Sequence, residues 1–312
     1  MGTGKISKAV VRRRPGDINE RLLKRTPYLI WKGEVSEFLA KLPRGNQFDC
    51  VITSPPYNLG KSYEKRGDFH KYITEQADLI FQITSRLKRG GSICWQVGNY
   101  VDNGEIVPLD IELHNVFKHC GLRLRNRIIW RFGHGHHNKH RFSGRHEVIM
   151  WYTAGDDYIF NLDAVRIPPK YPAKRHYRGK KKGHFSANPL GKNPEDVWDM
   201  DLDVWDIPNV KGNHIEKTSH PCQFPIGLAE RLIVALTNKK DRVFDPYMGV
   251  GTTGAAAALR NRKFVGCELL ANYARIAQSR INSALRGDLK YRPFDKPVYD
   301  HLLSKLSIPP VR

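Results

Sequence analysis

Along most of the chain, short runs of β-forming residues alternate with stretches whose apolar residues recur at helical spacing. That alternation restricts the fold to layered α/β architectures. "YLIWKG" precedes the helical "EVSEFLAKL", "DCVIT" precedes "KYITEQADLIFQITSRLK", and "SICWQVG" precedes "IELHNVFKHCG". After a long irregular stretch the rhythm resumes with helix "FPIGLAERLIVALT", strand "DRVFD", helix "TGAAAALRN", strand "KFVGCE" and helix "NYARIAQSRINSAL". Strands joined through helices imply a mixed, mostly parallel sheet covered on both faces. "NRIIWRF" and "EVIMWYT" follow each other with no helix of any length between them, which predicts one antiparallel strand near an edge. The helix ending in "SRLK" is expected to close at Gly90-Gly91.

This pattern divides the chain into a basic N-terminal arm (1–26), one α/β domain (27–290) and a C-terminal tail (291–312). The irregular stretch, 133–219 with a core at about 165–195, is too long for an ordinary connection and reads as an insertion with a task of its own. No acidic residue occurs between Asp163 and Glu195, whereas "RIPPKYPAKRHYRGKKKGHF" interleaves cations with aromatic rings. Such a segment suits phosphate contact and base stacking. The whole chain carries 52 Lys and Arg against 31 Asp and Glu, a formal charge of +21, which favours a polyanionic partner. No apolar run has the length of a membrane span and no secretory signal is present, so the expected setting is the cytoplasm, at the nucleoid. The five cysteines, at 50, 94, 120, 222 and 267, form no CxxC pair, which argues against structural zinc and a disulfide framework.

Two strand ends carry the chemistry. "DCVITSPPYNL" runs a strand into Ser54, Pro55, Pro56 and Tyr57, and the two prolines stop the ladder and stiffen a corner bearing a hydroxyl and an aromatic ring. "VFDPYMGVGTTGAAAALRNRKFVGCE" ends a strand at Asp245, turns through glycines and opens a small-residue helix. Glycines at 249 and 251 permit close approach to the backbone, and Glu268 ends the next strand where a carboxylate can accept from ribose hydroxyls. "GVGTTG" matches the GxGxxG pattern of nicotinamide enzymes. An acidic residue directly before the turn suits a cationic sulfonium better than a pyrophosphate.

Together, "TSPPY" followed by "DPYMGVGTT" resembles the amino-methylating DNA methyltransferases, whose catalytic tetrapeptide is Ser/Asp/Asn-Pro-Pro-aromatic and whose cofactor motif contains Phe/Tyr-x-Gly-x-Gly. The order, catalytic motif first and cofactor motif last, is similar to that of the circularly permuted beta class. "LKRGGSICWQVGNY", "RHEVIMWYT" and "HPCQFPIGLAERLI" resemble further segments of that family, so the likeness covers most of 28–283. It implies a Rossmann-like S-adenosylmethionine-dependent methyltransferase fold acting on double-stranded DNA after base flipping. The implied reaction is methylation of the cytosine N4 amine, with adenine N6 as the alternative.

On that resemblance the catalytic residues are Ser54, Pro55, Pro56 and Tyr57. S-adenosyl-L-methionine would be held by Thr53, Asp245, Pro246, Tyr247, Gly249, Gly251, Thr252, Thr253 and Glu268, with His220, Gln223 and Pro225 at its methionine end. DNA contacts are expected from Arg166, Lys170, Lys174, Arg175, Tyr177, Arg178, Lys180, Lys181 and Lys182. The family also implies a monomer or homodimer, a restriction-modification or epigenetic role with a cognate endonuclease as a partner, and no metal. The exocyclic amine is a poor nucleophile because its lone pair is delocalised into the ring. The Ser54 hydroxyl and the Pro55 carbonyl are the expected acceptors for its N–H bonds, and Tyr57 the stacking face.

Several other readings carry less weight. "PCQ" at 221–223 matches the context of a C5-methyltransferase nucleophile, but the glycine motif follows it instead of preceding it, and Cys222 is expected to open a helix. The histidines at 134, 136, 137, 140 and 146 lack a completing ligand set for a metal and read as a DNA-contacting loop. A non-catalytic nucleic-acid-binding protein, a nicotinamide oxidoreductase, and a methylase of RNA or protein glutamine are the remaining alternatives.

Overall fold

A computed structural model gives the architecture and describes residues 9–11, 26–60, 66–132, 135, 137–169, 171–198 and 207–294. The strands are β1 (Ala9–Val11), β2 (Tyr28–Lys32), β3 (Phe48–Thr53), β4 (Leu87–Val97), β5 (Asn99–Asp102), β6 (Glu105–Pro108), β7 (Arg123–Arg131), β8 (His146–Thr153), β9 (Val197–Trp198), β10 (Arg242–Asp245) and β11 (Lys263–Glu268). The helices are α1 (Val35–Ala40), α2 (Phe69–Thr84), α3 (Leu109–His119), α4 (Ile226–Leu236), α5 (Thr252–Leu259) and α6 (Ala271–Arg286). Among the described residues nine strands form one sheet in the order β1-β2-β11-β10-β3-β4-β8-β7-β9, with β5 and β6 a separate hairpin. Among the described strands of this sheet, β8 alone runs against its neighbours, pairing antiparallel with both β4 and β7.

Successive strand residues alternate between two apolar layers, as the pleat requires. Tyr28 and Ile30 of β2 pack in the layer with α4, α5 and α6, while Leu29 and Trp31 pack in the layer with α1, α2 and α3. The alanines of α5 are buried, which lets that helix lie close between its neighbours. Among the described residues no helix is long and apolar enough to cross a membrane.

Some expectations are corrected. Gly90-Gly91 do not close α2 but lie inside β4. The helix stops at Thr84 because Gln82 O accepts from both Ser85 Oγ and Arg86 Nη1 at 2.8 Å, so its end is capped early. Ala9–Val11, within the expected arm, add an edge strand parallel to β2. Cys222 sits in an exposed turn, not in a helix, since α4 starts at Ile226. The antiparallel β8 is followed outward by β7 and by β9, a two-residue strand contributed by the insertion. Arg292 and Phe294, in the expected tail, return to the domain: Arg292 N–H donates to Glu216 Oε1 at 3.1 Å, and Phe294 is buried.

Candidate active site

The chain proceeds from β3 to β4 on one side and from β10 to β11 on the other, so the sheet changes direction between β3 and β10. These two strands are parallel neighbours, with Val243 beside Cys50 and Phe244 beside Val51. Crevices form beyond the carboxyl ends of strands at such a switch point. Here the crevice is a cleft of about 840 Å³. Ser54, Pro55, Pro56 and Tyr57 line it from the end of β3. Pro246, Tyr247, Gly249, Thr252 and Glu268 line it from β10 and β11, and His220 and Gln223 from the segment before α4. Thr53, Asp245, Gly251, Thr253 and Pro225 stand behind that wall, not in it.

These residues behind the wall tie the two motifs together. Thr53 Oγ1 donates across the strands to Asp245 Oδ1 at 2.7 Å, and the same oxygen accepts from Tyr247 N–H at 3.1 Å. Thr253 Oγ1 donates to Ile52 O at 3.3 Å. Helix α2 adds a brace that sequence reasoning missed. Tyr72 donates to Pro56 O at 2.9 Å, and Gln76, one turn later, donates to the Tyr247 hydroxyl at 2.9 Å. The i, i+4 pair of polar groups on an otherwise apolar face was the available signal. Arg280, also missed, holds the glycine turn from below through Val250 O at 2.8 Å and Thr252 Oγ1 at 3.2 Å.

The glycines of the turn differ in what they do. Both have left-handed backbones, φ +53° at Gly249 and +75° at Gly251. A side chain at Gly251 would come within 2.7 Å of Ala277 on α6, so that glycine serves helix packing, whereas Gly249 faces His220 and the cleft. Gln223 is occupied inside the wall, accepting from Thr218 Oγ1 at 2.8 Å and donating to Glu216 O at 3.0 Å.

Burial shifts three titratable groups around the cleft. Burial pushes the Asp245 carboxyl up to about 6, against the hydrogen bonds from Thr53 and Tyr247. Burial likewise pushes Glu268 up to about 7, although the Leu270 N–H donates to it at 2.7 Å. His220 is pushed down to about 4 by burial and by Lys217, and is therefore neutral. Its Nδ1 accepts from Cys222 N–H at 3.2 Å, which puts the ring proton on Nε2, toward Gly249.

A raised carboxylate pKa has a defined stability consequence. The folded state binds the proton more tightly than the unfolded chain. Asp245 therefore contributes stability that is fully present below its unfolded value and lost as pH rises through about 6. Asp245→Asn should reduce the loss of stability between pH 5 and pH 8 by about 1–1.5 kcal/mol, the part of a shift of about two pK units that is lost above pH 5. Urea denaturation at the two pH values measures this, and an unchanged pH slope in the variant would rule it out.

Within the insertion, residues 167–192 form a largely exposed ribbon, whereas most of β8 and Val165, Trp198, Ile207 and Val210 of the same stretch are buried in the domain. The ribbon is pinned where Ile167 pairs with Lys192, and Arg175 pairs with Phe185 further out. Two of the insertion's expected DNA contacts serve the ribbon itself. Arg166 pairs with Asp163 at 2.6 Å and donates to Gly191 O at 2.9 Å, while Arg175 lies 4.1 Å over the Phe185 ring and donates to Gly183 O at 2.6 Å. Lys174, Tyr177, Arg178, Lys180, Lys181 and Lys182 are exposed, and Lys170 lies outside the described residues, as do His134 and His136. Among the described residues no group of His, Cys, Asp and Glu is arranged to hold a metal ion.

A mostly parallel sheet with helices on both faces and a cleft at its switch point places the chain among the doubly wound α/β folds. Residues 48–279 match the DNA methylase family model for N6 and N4 methylation, and the chain belongs to that family. It is 44% identical over 249 residues to the Type II methyltransferase M.BglII of Bacillus subtilis, covering 80% of this chain and 67% of that one. It is 34% identical over 264 residues to the Type II methyltransferase M.ScaI of Streptomyces caespitosus, covering 82% and 81%. Among solved structures it is similar to the DNA modification methylase TTHA0409 of Thermus thermophilus, crystallised with S-adenosyl-L-methionine, at a TM-score of 0.58 and 26% identity over 83% of this chain and 96% of that one.

Proposed function

We propose that this DNA methylase transfers the methyl group of S-adenosyl-L-methionine to the exocyclic N4 amine of cytosine within a specific duplex sequence. The observation carrying the reading is the Ser54-Pro55-Pro56-Tyr57 corner standing beside the glycine turn across adjacent strands β3 and β10. The residues present fit the cofactor. Glu268 lines the cleft and Asp245 stands directly behind it, so a bound cation would favour the ionised form of both, and neutral His220 offers an N–H donor beside Gly249. When bound, the cofactor supplies an electrophilic methyl group on a sulfonium. Glu268 would accept from the ribose hydroxyls, and His220 with the segment to Pro225 would hold the methionine end. Because binding a cation draws both carboxyls into their charged forms, cofactor affinity rises as pH passes upward through about 6 to 7.

The protein's part in the chemistry is positioning. A flipped base stacks on Tyr57. The Ser54 hydroxyl oxygen and the Pro55 carbonyl accept from the two amine hydrogens and hold the nitrogen lone pair toward the methyl group. The Tyr72 bond to Pro56 O keeps the corner from yielding. The choice of cytosine rests on a tendency of the family, with exceptions, for serine in the first position to accompany cytosine. Mass spectrometry of nucleosides from treated DNA tests the choice: N4-methylcytosine supports it, and N6-methyladenine alone overturns the base while keeping the site.

Sequence recognition is assigned to the insertion, through Arg178 and Tyr177, with Lys180, Lys181 and Lys182 on the phosphates. Neutralising the three lysines together should weaken binding to cognate and scrambled duplexes alike and reduce the salt slope by about 2–3 units, close to one per phosphate contact. Fluorescence anisotropy over a salt series reads this directly. Selective loss on the cognate duplex alone would contradict the phosphate role.

A further inference from the structure

We propose that Glu147 is the terminal proton acceptor of the methylation site, reached from Ser54 through the Tyr57 hydroxyl. The inference rests on the methyltransferase reading above and assigns a role to a residue outside both motifs.

Glu147 stands near the start of β8 and lines the cleft opposite the Ser-Pro-Pro-Tyr corner. Its Oε2 accepts from Gln96 Nε2 of β4 at 2.6 Å and lies 3.5 Å from the Tyr57 hydroxyl. The Tyr57 oxygen is in turn 2.8 Å from Ser54 Oγ. Gly98 makes the approach possible, since a side chain there would come within 3.2 Å of the Tyr57 ring and 3.6 Å of the Glu147 side chain.

The direction of the chain follows from which groups can donate. On its far side Tyr57 meets the Gln96 carbonyl at 3.4 Å and the Glu147 carboxylate at 3.5 Å, and an ionised carboxylate and a carbonyl are acceptors only. The tyrosine proton therefore points to them, and Ser54, on the near side, donates into the tyrosine oxygen. Donating away from the cleft leaves the Ser54 lone pairs facing it, as acceptance from an amine requires.

After methylation the amine nitrogen carries one proton too many. That proton passes to Ser54 Oγ, the Ser54 proton to the Tyr57 oxygen, and the Tyr57 proton to Glu147 Oε2. Each hydroxyl gives one proton and gains one. The nitrogen loses its positive charge and the carboxylate its negative charge, so the balance closes with a neutral acid at Glu147. Lys211 is the cation facing Glu147, and with Gln96 and Tyr57 it favours the ionised form, while burial acts against them and prevails, raising the carboxyl above its ordinary value. His146 is its neighbour on β8.

Glu147→Gln keeps an oxygen for Gln96 and Tyr57 but cannot take a proton. Single-turnover methylation by this variant is expected to fall about 10- to 100-fold, at or below the low end of general-base effects because the methylated amine is itself acidic. Its rate should lose the acidic limb of the pH profile, with cofactor and DNA affinities unchanged. Tyr57→Phe keeps the stacking ring and should show the same loss, and the double variant should be no slower than either single one, as expected for groups acting in one chain. In the cofactor-free protein, infrared difference titration should show a protonated carboxyl band above the ordinary glutamate range that Glu147→Gln removes. Wild-type rate with the acidic limb intact in Glu147→Gln, multiplicative losses in the double variant, or an unaltered carboxyl band would each overturn the relay. A wild-type protein that transfers no label to DNA overturns the methyltransferase reading as well, whereas an active wild type whose carboxyl band is unaltered by Glu147→Gln overturns the relay alone.

Discussion

Ser54→Ala should lower the single-turnover rate of methyl transfer about 10²- to 10³-fold, the scale seen when one preorganised hydrogen-bonding group is removed from a reacting centre. The serine oxygen is held 2.8 Å from Tyr57 at a corner fixed by two prolines and by the Tyr72 bond to Pro56 O. Its removal deletes one of two acceptors for the amine and lets the nitrogen return to its planar, unreactive geometry. Cofactor affinity should be unaffected, because the motif proposed to hold the cofactor is built on β10 and β11. Ser54→Asp, which restores an acceptor in the same place, should recover part of the rate. Calorimetry with the cofactor and rapid-quench assays on duplex DNA separate the two effects. A Ser54→Ala variant as fast as the wild type would remove the serine from the mechanism.

Gly251→Ala should destabilise the fold by about 2–5 kcal/mol, the sum of a left-handed backbone penalty and an overpacking cost. The residue has φ +75°, and its added carbon would lie 2.7 Å from the Ala277 side chain and 2.9 Å from the Ala277 backbone on α6. Backbone cannot swing aside as the end of a long side chain can. Gly249→Ala provides the contrast. At φ +53° its nearest neighbour is His220, at 3.5 Å, so it should lose about 1 kcal/mol of stability, close to the left-handed penalty alone, and more of its effect should appear in cofactor binding. Urea denaturation of both variants decides this. Equal losses would show that α6 packing does not distinguish the two positions.

The two glycines also show how far the sequence could be read. "GVGTTG" announces a tight turn between a strand and a helix, since few other sequences support left-handed backbone there. It cannot say that one glycine faces a ligand and the other faces α6, because that depends on a helix beginning about twenty residues later in the chain. The same holds for Asp245. Its position before the turn marked it as part of the site, yet its oxygen is engaged by Thr53, 192 residues away in sequence, a partner set only by the pairing of β3 with β10.

The strand–helix rhythm, the Ser-Pro-Pro-Tyr corner, the glycine turn and the acidic strand ends are local patterns, each written within a few residues by backbone preference and apolar period. From them the α/β class, the mostly parallel sheet and the two halves of the site followed directly. The end of α2 did not, because its cap is made by Ser85 and Arg86 before Gly90-Gly91 is reached. The inward turn of Arg166 and Arg175 onto their own ribbon, the α2 brace of Tyr72 and Gln76, and the meeting of Glu147 with Tyr57 were decided by tertiary structure alone. Each joins groups that neither helical nor strand periodicity relates, and only the closing of the fold around its sheet brings them within reach of one another.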